Sequence, residues 1–418
     1  MTTTAPPDTV QRHVVRTLVG TQVLGGVGLS AGVAVGALLA ADVSGSDEYA
    51  GLGGTFQVLG AALIAIPMSR VMAARGRRPG LVLGYGLAAV GAVGLVTAGL
   101  VRSFPLLLVS SVLFGGATAS NSQSRYAAAD LAVPAHRARD LSIVVWATTI
   151  GSVIGPNLAG PSAPVARALG LPLLTGPFIF SLIGLLLAIA LILVRLRPDP
   201  LVEARRRSIA DGDTAGPAHG SVTRGLRVAA GIPAARLGIA TLALGHVTMV
   251  SVMVMTPLHM AHGDADLKVI GFVISIHILG MFAFSPLTGF AVDRLGGRAV
   301  AVLGSVVLSA ATLLASASPE GESTTLVAGL FLLGLGWSCT LVAGSTLLTA
   351  AVPVHERPGA QGASDLLMGL MAGAGGALAG VVVDRVSFEA LALGALGVAV
   401  VIGLAAALSR ARPGPALT

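Results

Sequence analysis

Two pairs of soft donor side chains lie close together in the 418-residue sequence, Met249-x-x-x-Met253 and His277-x-x-x-Met281. A spacing of four puts both members of a pair on one face of a helix. His246 precedes Met249 by three and shares that face. The stretch 246–281 holds four of the eight histidines and five of the ten methionines, far more than even placement would give. Thioether and imidazole donors suit Cu(I). Zinc would ask for thiolates, more histidines or carboxylates, and magnesium or calcium for oxygens. The competing reading is packing, since methionine fills irregular gaps between helices.

A second group carries charge. Arg125 lies among Asn121, Gln123, Tyr126 and Asp130 in an otherwise apolar stretch. An arginine inside a membrane span needs partners. It serves either as a cavity charge that contacts solute or couples protons, or as a structural pair near the span's end. Asp365 stands beside Gln361 at the opening of a later span, as a proton carrier or as a helix cap. No Asp or Glu falls in the middle of any span. A third group is Gly151-x-x-x-Gly155-Pro156, whose small residues allow close helix contact and whose proline bends the helix. The single cysteine, Cys339, excludes an intramolecular disulfide and a cysteine-rich zinc site. With one lysine and no phosphate-cradling Gly-Lys-Ser/Thr, no enzyme signature emerges, and no cofactor is expected.

The elements that must hold these residues are membrane helices. The chain is 54% hydrophobic and 11% charged, against about 25% charged in soluble domains, and its mean hydropathy is +0.87. Uncharged runs long enough to cross the bilayer occur near 17–41, 49–69, 79–101, 103–124, 141–166, 168–194, 237–261, 269–292, 299–319, 323–354, 366–383 and 390–409. This predicts an all-α membrane protein with twelve transmembrane helices. Of the 26 basic residues, 21 fall at the termini and in the even-to-odd connections. Four (Arg102, Arg167, Lys268, Arg385) fall in the opposite loops, and Arg125 lies within span four. The positive-inside rule then places both termini in the cytoplasm, and a bacterial inner membrane is expected. The net charge of +7 is read as topology and lipid-headgroup contact, with no nucleic-acid partner.

The longest connection, 195–236, contains Arg205-Arg206-Arg207 and Asp211-Gly212-Asp213 and reads as a cytoplasmic linker. It separates two halves, 1–194 and 237–418. Three matches tie them together as a repeat. Ala132-Val133-Pro134-Ala135-His136-Arg137 resembles Ala351-Val352-Pro353-Val354-His355-Glu356. Gly76-Arg77-Arg78 matches Gly296-Gly297-Arg298, and Gln57-Val58-Leu59-Gly60-Ala61 matches His277-Ile278-Leu279-Gly280-Met281. Pseudo-symmetric six-helix halves imply alternating access around a midplane site. Counting helical rise from the outer ends of spans seven and eight, Met253 comes level with His277 and Met249 with Met281. The two pairs are therefore expected to face a single point, and the first half lacks all four donors.

These features resemble the major facilitator superfamily over the whole chain. Its loop signature appears after span eight as Gly289, Asp293, Arg294, Gly296 and Arg298. After span two it is degenerate, with Ala73 at the carboxylate position and Ser69 at the glycine position. Gly151, Gly155 and Pro156 resemble the superfamily's antiporter motif. Met249, Met253, His277 and Met281 resemble the motifs of the CcoA-like copper importers. The resemblance implies a monomeric secondary transporter of the lipid bilayer that imports copper as substrate. The alternative is proton-coupled efflux of drugs or other amphiphilic solutes, supported by Gly155-Pro156 and Arg125. A third possibility is a metal sensor or membrane chaperone on the same fold.

Overall fold

The computed structural model describes residues 7–212 and 218–409, and among these no strand occurs. Its helices are α1 (Pro7–Ser44), α2 (Leu52–Arg75), α3 (Arg77–Val101), α4 (Phe104–Ala129), α5 (Arg137–Asn157), α6 (Ala159–Ala168), α7 (Gly176–Arg195) and α8 (Pro200–Ala210). They continue with α9 (Val222–Gly231), α10 (Pro233–His262), α11 (Leu267–Phe282), α12 (Ser285–Leu295), α13 (Gly297–Ser316), α14 (Thr324–Ala351), α15 (Arg357–Arg385) and α16 (Phe388–Leu408). Eleven helical segments are long and apolar enough to cross a membrane, or twelve if the bent pair at α5 and α6 is one span. Large apolar side chains such as Leu187, Phe272, Val306 and Leu404 are exposed, as lipid contact requires.

The chain forms two compact units, Met1–Val228 with Val352–Ala374, and Ala229–Ala351 with Gly375–Thr418. In the first, α1 packs along α5 and α7, while α4 packs along α2 and α3. Its core holds Leu18, Leu39, Met68, Tyr85, Phe114 and Phe178. In the second, α14 is the shared partner of α10, α11 and α13, and α16 packs on α13 and α10.

Local chemistry sets several boundaries differently from the hydropathy pattern. Span five is not one straight helix. It breaks after Asn157 with a bend of 52°, because Pro156 in the last turn of α5 has no N–H to continue the ladder. The 195–236 connection contains two short helices, α8 and α9. Asp199 caps α8 by accepting from the Leu201 and Val202 amides at 3.0 and 3.2 Å, and Asp213 lies outside the described residues. Asp365 does not open its span. Helix α15 begins eight residues earlier, at Arg357, so Asp365 sits two turns inside and cannot be an N-cap. Two polar residues of this first part are buried with partners, Arg357 beside the Val352 carbonyl and Asp130, and Gln361 accepting from Arg77, contacts that hydropathy does not register.

Candidate functional site

Gln361 and Asp365 are one turn apart on α15; within the first unit Gln361 meets a side chain of α3 and Asp365 meets side chains of α4. Arg125 Nη2 donates to Asp365 Oδ1 at 2.8 Å, and Gln123 Nε2 donates to Asp365 Oδ2 at 2.6 Å. The Arg125 and Asp365 side chains are 6% and 8% exposed. Arg125 also donates to the Tyr126 hydroxyl at 3.1 Å, with its guanidinium over the Tyr126 ring. The other end of Gln123 accepts from Arg77 Nη1 at 3.0 Å. Since a guanidinium only donates and a carboxylate only accepts, the orientation of the Gln123 amide is fixed by its two partners.

Arg77, the first residue of α3, is fully buried. Its Nε and Nη2 grip both oxygens of Asp130 at 2.7 and 3.2 Å, a bidentate geometry that charged pairs favour. Nη2 also donates to Gln361 Oε1 at 2.6 Å, and Arg357 Nη1 lies 3.7 Å from Asp130. Asp130 is therefore the partner of Arg77 and Arg357, not of Arg125. It sits past the end of α4 and five residues on from Arg125, which takes it off the Arg125 face. A continuous hydrogen-bonded chain runs from Asp130 through Arg77 and Gln123 to Asp365 and Arg125. Asn121, one turn before Arg125, accepts from the Tyr85 hydroxyl at 2.7 Å.

The soft donors of the second unit are not gathered as their spacing suggests. Helix α11 packs along α14 rather than along α10, so the Met249–Met253 and His277–Met281 faces do not meet as neighbours. Met249 is buried, while Met253 and Met281 are half-buried. The Trp337 indole N–H donates to His246 Nδ1 at 2.9 Å. Because an indole only donates, His246 is the Nε2–H tautomer and offers a metal no lone pair while that bond persists. His277 differs. It is 1% exposed, its Nδ1–H donates to the Leu330 carbonyl at 2.8 Å, and its Nε2 is buried with no partner. Among the described residues, no three His, Cys, Asp or Glu side chains are grouped to hold a metal.

The remaining motif residues are structural neighbours of the helix ends. The turn at Gly296 has φ +85°, and Arg298 donates to the Ala406 carbonyl at 3.3 Å, near the end of α16. Gly289 is buried, Asp293 half-buried, and the Arg294 guanidinium lies over Phe290. Gly151 abuts the backbone of α1 at Gly26, and Gly155 abuts it at Ser30 and Ala31. These contacts hold α1 and α5 at backbone distance up to the bend at Pro156.

The family profile of the Major Facilitator Superfamily matches residues 18–265 and again 237–418. The chain belongs to this superfamily. Among curated relatives, the MFS-type transporter YdeG of Bacillus subtilis (strain 168) is 39% identical over 372 residues, covering 89% of this chain and 86% of that protein. The riboflavin transporter RfnT of Brucella anthropi is 29% identical over 316 residues, 74% of each chain. Of solved structures, the human organic anion transporter MFSD10 (TETRAN) superposes with a TM-score of 0.75 at 17% identity, covering 96% of this chain and 100% of that one. A bacterial homologue of the iron transporter ferroportin gives 0.71 at 14% identity, covering 94% and 98%. At these identities the structures speak for the fold alone.

The protein is thus a multi-pass secondary transporter of the Major Facilitator Superfamily and not an enzyme. Its degenerate first loop has a substitute for the missing carboxylate. Beside Gly76, Asp199 from the connection accepts from the Arg77 and Arg78 amides at 3.1 and 2.7 Å, and Asp130 takes the Arg77 side chain. Sequence reasoning missed Arg77 as the hub. The signal was available in the internal repeat, where Arg77 aligns with Gly297 and so has no twin.

Proposed function

We propose that this transporter exports a polar organic solute against an inward proton flow, with Asp365 carrying the proton and Arg125 as its switch partner. The observation behind this reading is the buried Arg125–Asp365 pair braced by Gln123. Burying two charges is tolerable only while each holds the other, and removing one strands its partner. A proton on Asp365 leaves Arg125 uncompensated and weakens the hold of α4 on the first part of α15. A solute that supplies the lost interaction, or deprotonation to the other side, restores it. Alternating access needs such a reversible contact, and binding shifts the equilibrium only through differential contacts of this kind. The Gly151/Gly155/Pro156 bend resembles the antiporter motif and favours efflux.

The name of the relative RfnT makes riboflavin the first solute to test. In everted vesicles with an acid lumen, the wild type is expected to accumulate riboflavin and to stop when a protonophore is added. Asp365→Asn should lose at least tenfold in gradient-driven accumulation while still exchanging solute at equilibrium. Accumulation indifferent to both the protonophore and Asp365→Asn overturns the coupling scheme.

A second reading is Cu(I) import, favoured by one feature. The Leu330 carbonyl fixes the His277 tautomer that leaves Nε2 as a buried lone pair, as carbonyl partners do for metal-ligating histidines. Met281 follows one turn later. Whole-cell copper uptake unchanged by His277→Gln and Met281→Leu removes this reading. The orientation with both termini in the cytoplasm is proposed from the basic-residue asymmetry. A cysteine at Ser208 should resist an impermeant external thiol reagent, and one at Ala265 should label.

A further inference from the structure

A cleft of about 520 Å³ opens on the second unit at the turn between α12 and α13. It is lined by the first residues of α13, Gly297, Arg298 and Ala299, and by apolar side chains, chiefly Leu295, Val302 and Leu347, with Ala406 near the end of α16. Among the described residues no acidic side chain lines it. Leu295 is 65% exposed, and Gly296 and Ala299 are exposed too, so the cleft is accessible from outside the protein.

The start of a helix carries amides that no carbonyl of the same helix reaches. In α13 the ladder begins with the Val300 amide, which donates to the Gly296 carbonyl at 3.3 Å. Gly296, at the cap position, has no side chain to accept from the amides of Gly297, Arg298 or Ala299. The internal repeat shows what such amides take. Gly76-Arg77-Arg78 is the first half's copy of Gly296-Gly297-Arg298, and there the two oxygens of the Asp199 carboxylate each accept from one amide, Arg77 at 3.1 Å and Arg78 at 2.7 Å. The same corner with an anion seated on it is therefore present in this molecule. In the second copy the matching amides belong to residues that line the cleft, and Arg298 adds a full positive charge. Its Nε and Nη2 reach the Ala406 and Ala407 carbonyls only at 3.3–3.5 Å, long for such bonds, and Nη1 takes part in none of them.

The walls and the depth choose among anions. Apolar walls beside a cationic corner match an amphiphile rather than a small hydrated ion. Gly297 and Ala406 lie at the ends of helices that are long and apolar enough to cross a membrane, which is the level of lipid headgroups. A phosphodiester presents two equivalent oxygens, as the Asp199 carboxylate does. We infer that this cleft binds an acidic phospholipid, whose phosphodiester takes the Gly297 and Arg298 amides and the Arg298 guanidinium, while an acyl chain lies against Leu295, Val302 and Leu347. The inference is independent of which solute the transporter carries. Phosphatidylcholine, which adds a quaternary ammonium beside a site already cationic, is the weaker ligand.

Lipid retention by the delipidated, full-length protein is read by native mass spectrometry, with phosphatidylglycerol and phosphatidylcholine as competing probes, beside the melting temperature in lipid-free detergent. Wild type should retain phosphatidylglycerol about tenfold over phosphatidylcholine, the sum of a guanidinium and a helix start acting on one net charge. Arg298→Gln should lower that preference about fivefold. Ala299→Asp puts a carboxylate in the first turn of α13, where the helix dipole favours it. This variant should melt no lower than wild type and still lose the preference, which separates competition for an anion site from damage to the fold and serves where Arg298→Gln does not fold. Arg206→Gln, which changes an exposed arginine of α8 paired with Glu203, should leave the preference intact. Overturning results are no preference in wild type, a preference that survives both Arg298→Gln and Ala299→Asp, or an equal loss in Arg206→Gln, which would mean diffuse attraction to a basic surface. Displacement of phosphatidylglycerol by glycerol phosphate at equal concentration also overturns the assignment, because the cleft would then serve a soluble phosphate ester.

Discussion

The turn between α2 and α3 and the turn between α12 and α13 are copies of one sequence motif, and they spend it differently. Both pivot on a glycine with positive φ, Gly76 at +95° and Gly296 at +85°, a conformation that side-chain-bearing residues adopt only with strain. After the first comes Arg77, fully buried and shared among Asp130, Gln123 and Gln361. After the second comes Gly297, and the neighbouring Arg298 reaches sideways to the last carbonyls of α16, where a cation is favoured by the helix dipole. Duplication preserved the backbone corner, while the charge chemistry diverged. One copy became the root of a buried network that ends at a membrane carboxylate, and the other a clamp on a helix end.

The largest expected difference is in stability. Arg77→Met removes both hydrogen bonds to the buried Asp130 carboxylate and leaves it only the more distant Arg357 guanidinium, which should cost on the order of 3–5 kcal/mol. Its melting temperature in detergent should fall far more than that of Arg298→Met. Equal falls would mean that the two turns are equivalent after all. Next comes transport. Asp365→Asn should cut gradient-driven solute movement at least tenfold, whereas Asp293→Asn, on the second turn's rim, should slow turnover a few-fold and leave solute affinity near wild type. A large affinity loss in Asp293→Asn would put that loop in the binding path. Gly76→Ala and Gly296→Ala should each lose about 1–3 kcal/mol from backbone strain, since positive φ with extended ψ is a region that is essentially glycine's alone. Gly76→Ala should be the worse, because a Cβ there would collide with the Asp199 carboxylate. Smallest of all, Arg298→Ala should cost about 1 kcal/mol or less, read as a small shift in the melt.

Much of the fold was legible in the sequence because its cause is local. Long uncharged runs make spans, Pro156 bends one of them, and Gly76 and Gly296 mark matched corners. The site was legible only in part. Arg125, Gln123, Asn121 and Asp365 stand out as polar residues in apolar surroundings, yet nothing local says that Arg125 pairs with Asp365, 240 residues away. The same distance problem hid Arg77 and Gln361. The start of α15 was misread because hydropathy counts Arg357, Gln361 and Asp365 against a span and does not see the partners these three find. The soft donors failed in the opposite way. Their spacing along each helix is real, but consecutive helices joined by a short loop need not pack on each other, and α14 is the neighbour of both.

One carboxylate, Asp199, closes the starts of two helices, accepting from the amides of Arg77 and Arg78 on α3 and from those of Leu201 and Val202 on α8. This bears on how the chain can be cut into co-expressed fragments. A break before Asp199 hands the lid of α3 to the wrong piece and leaves its first amides bare. A break after Gly212 keeps the lid with the helix it covers. Reassembly of a working transporter from two polypeptides should therefore depend less on the length of the connection than on which fragment inherits that single side chain.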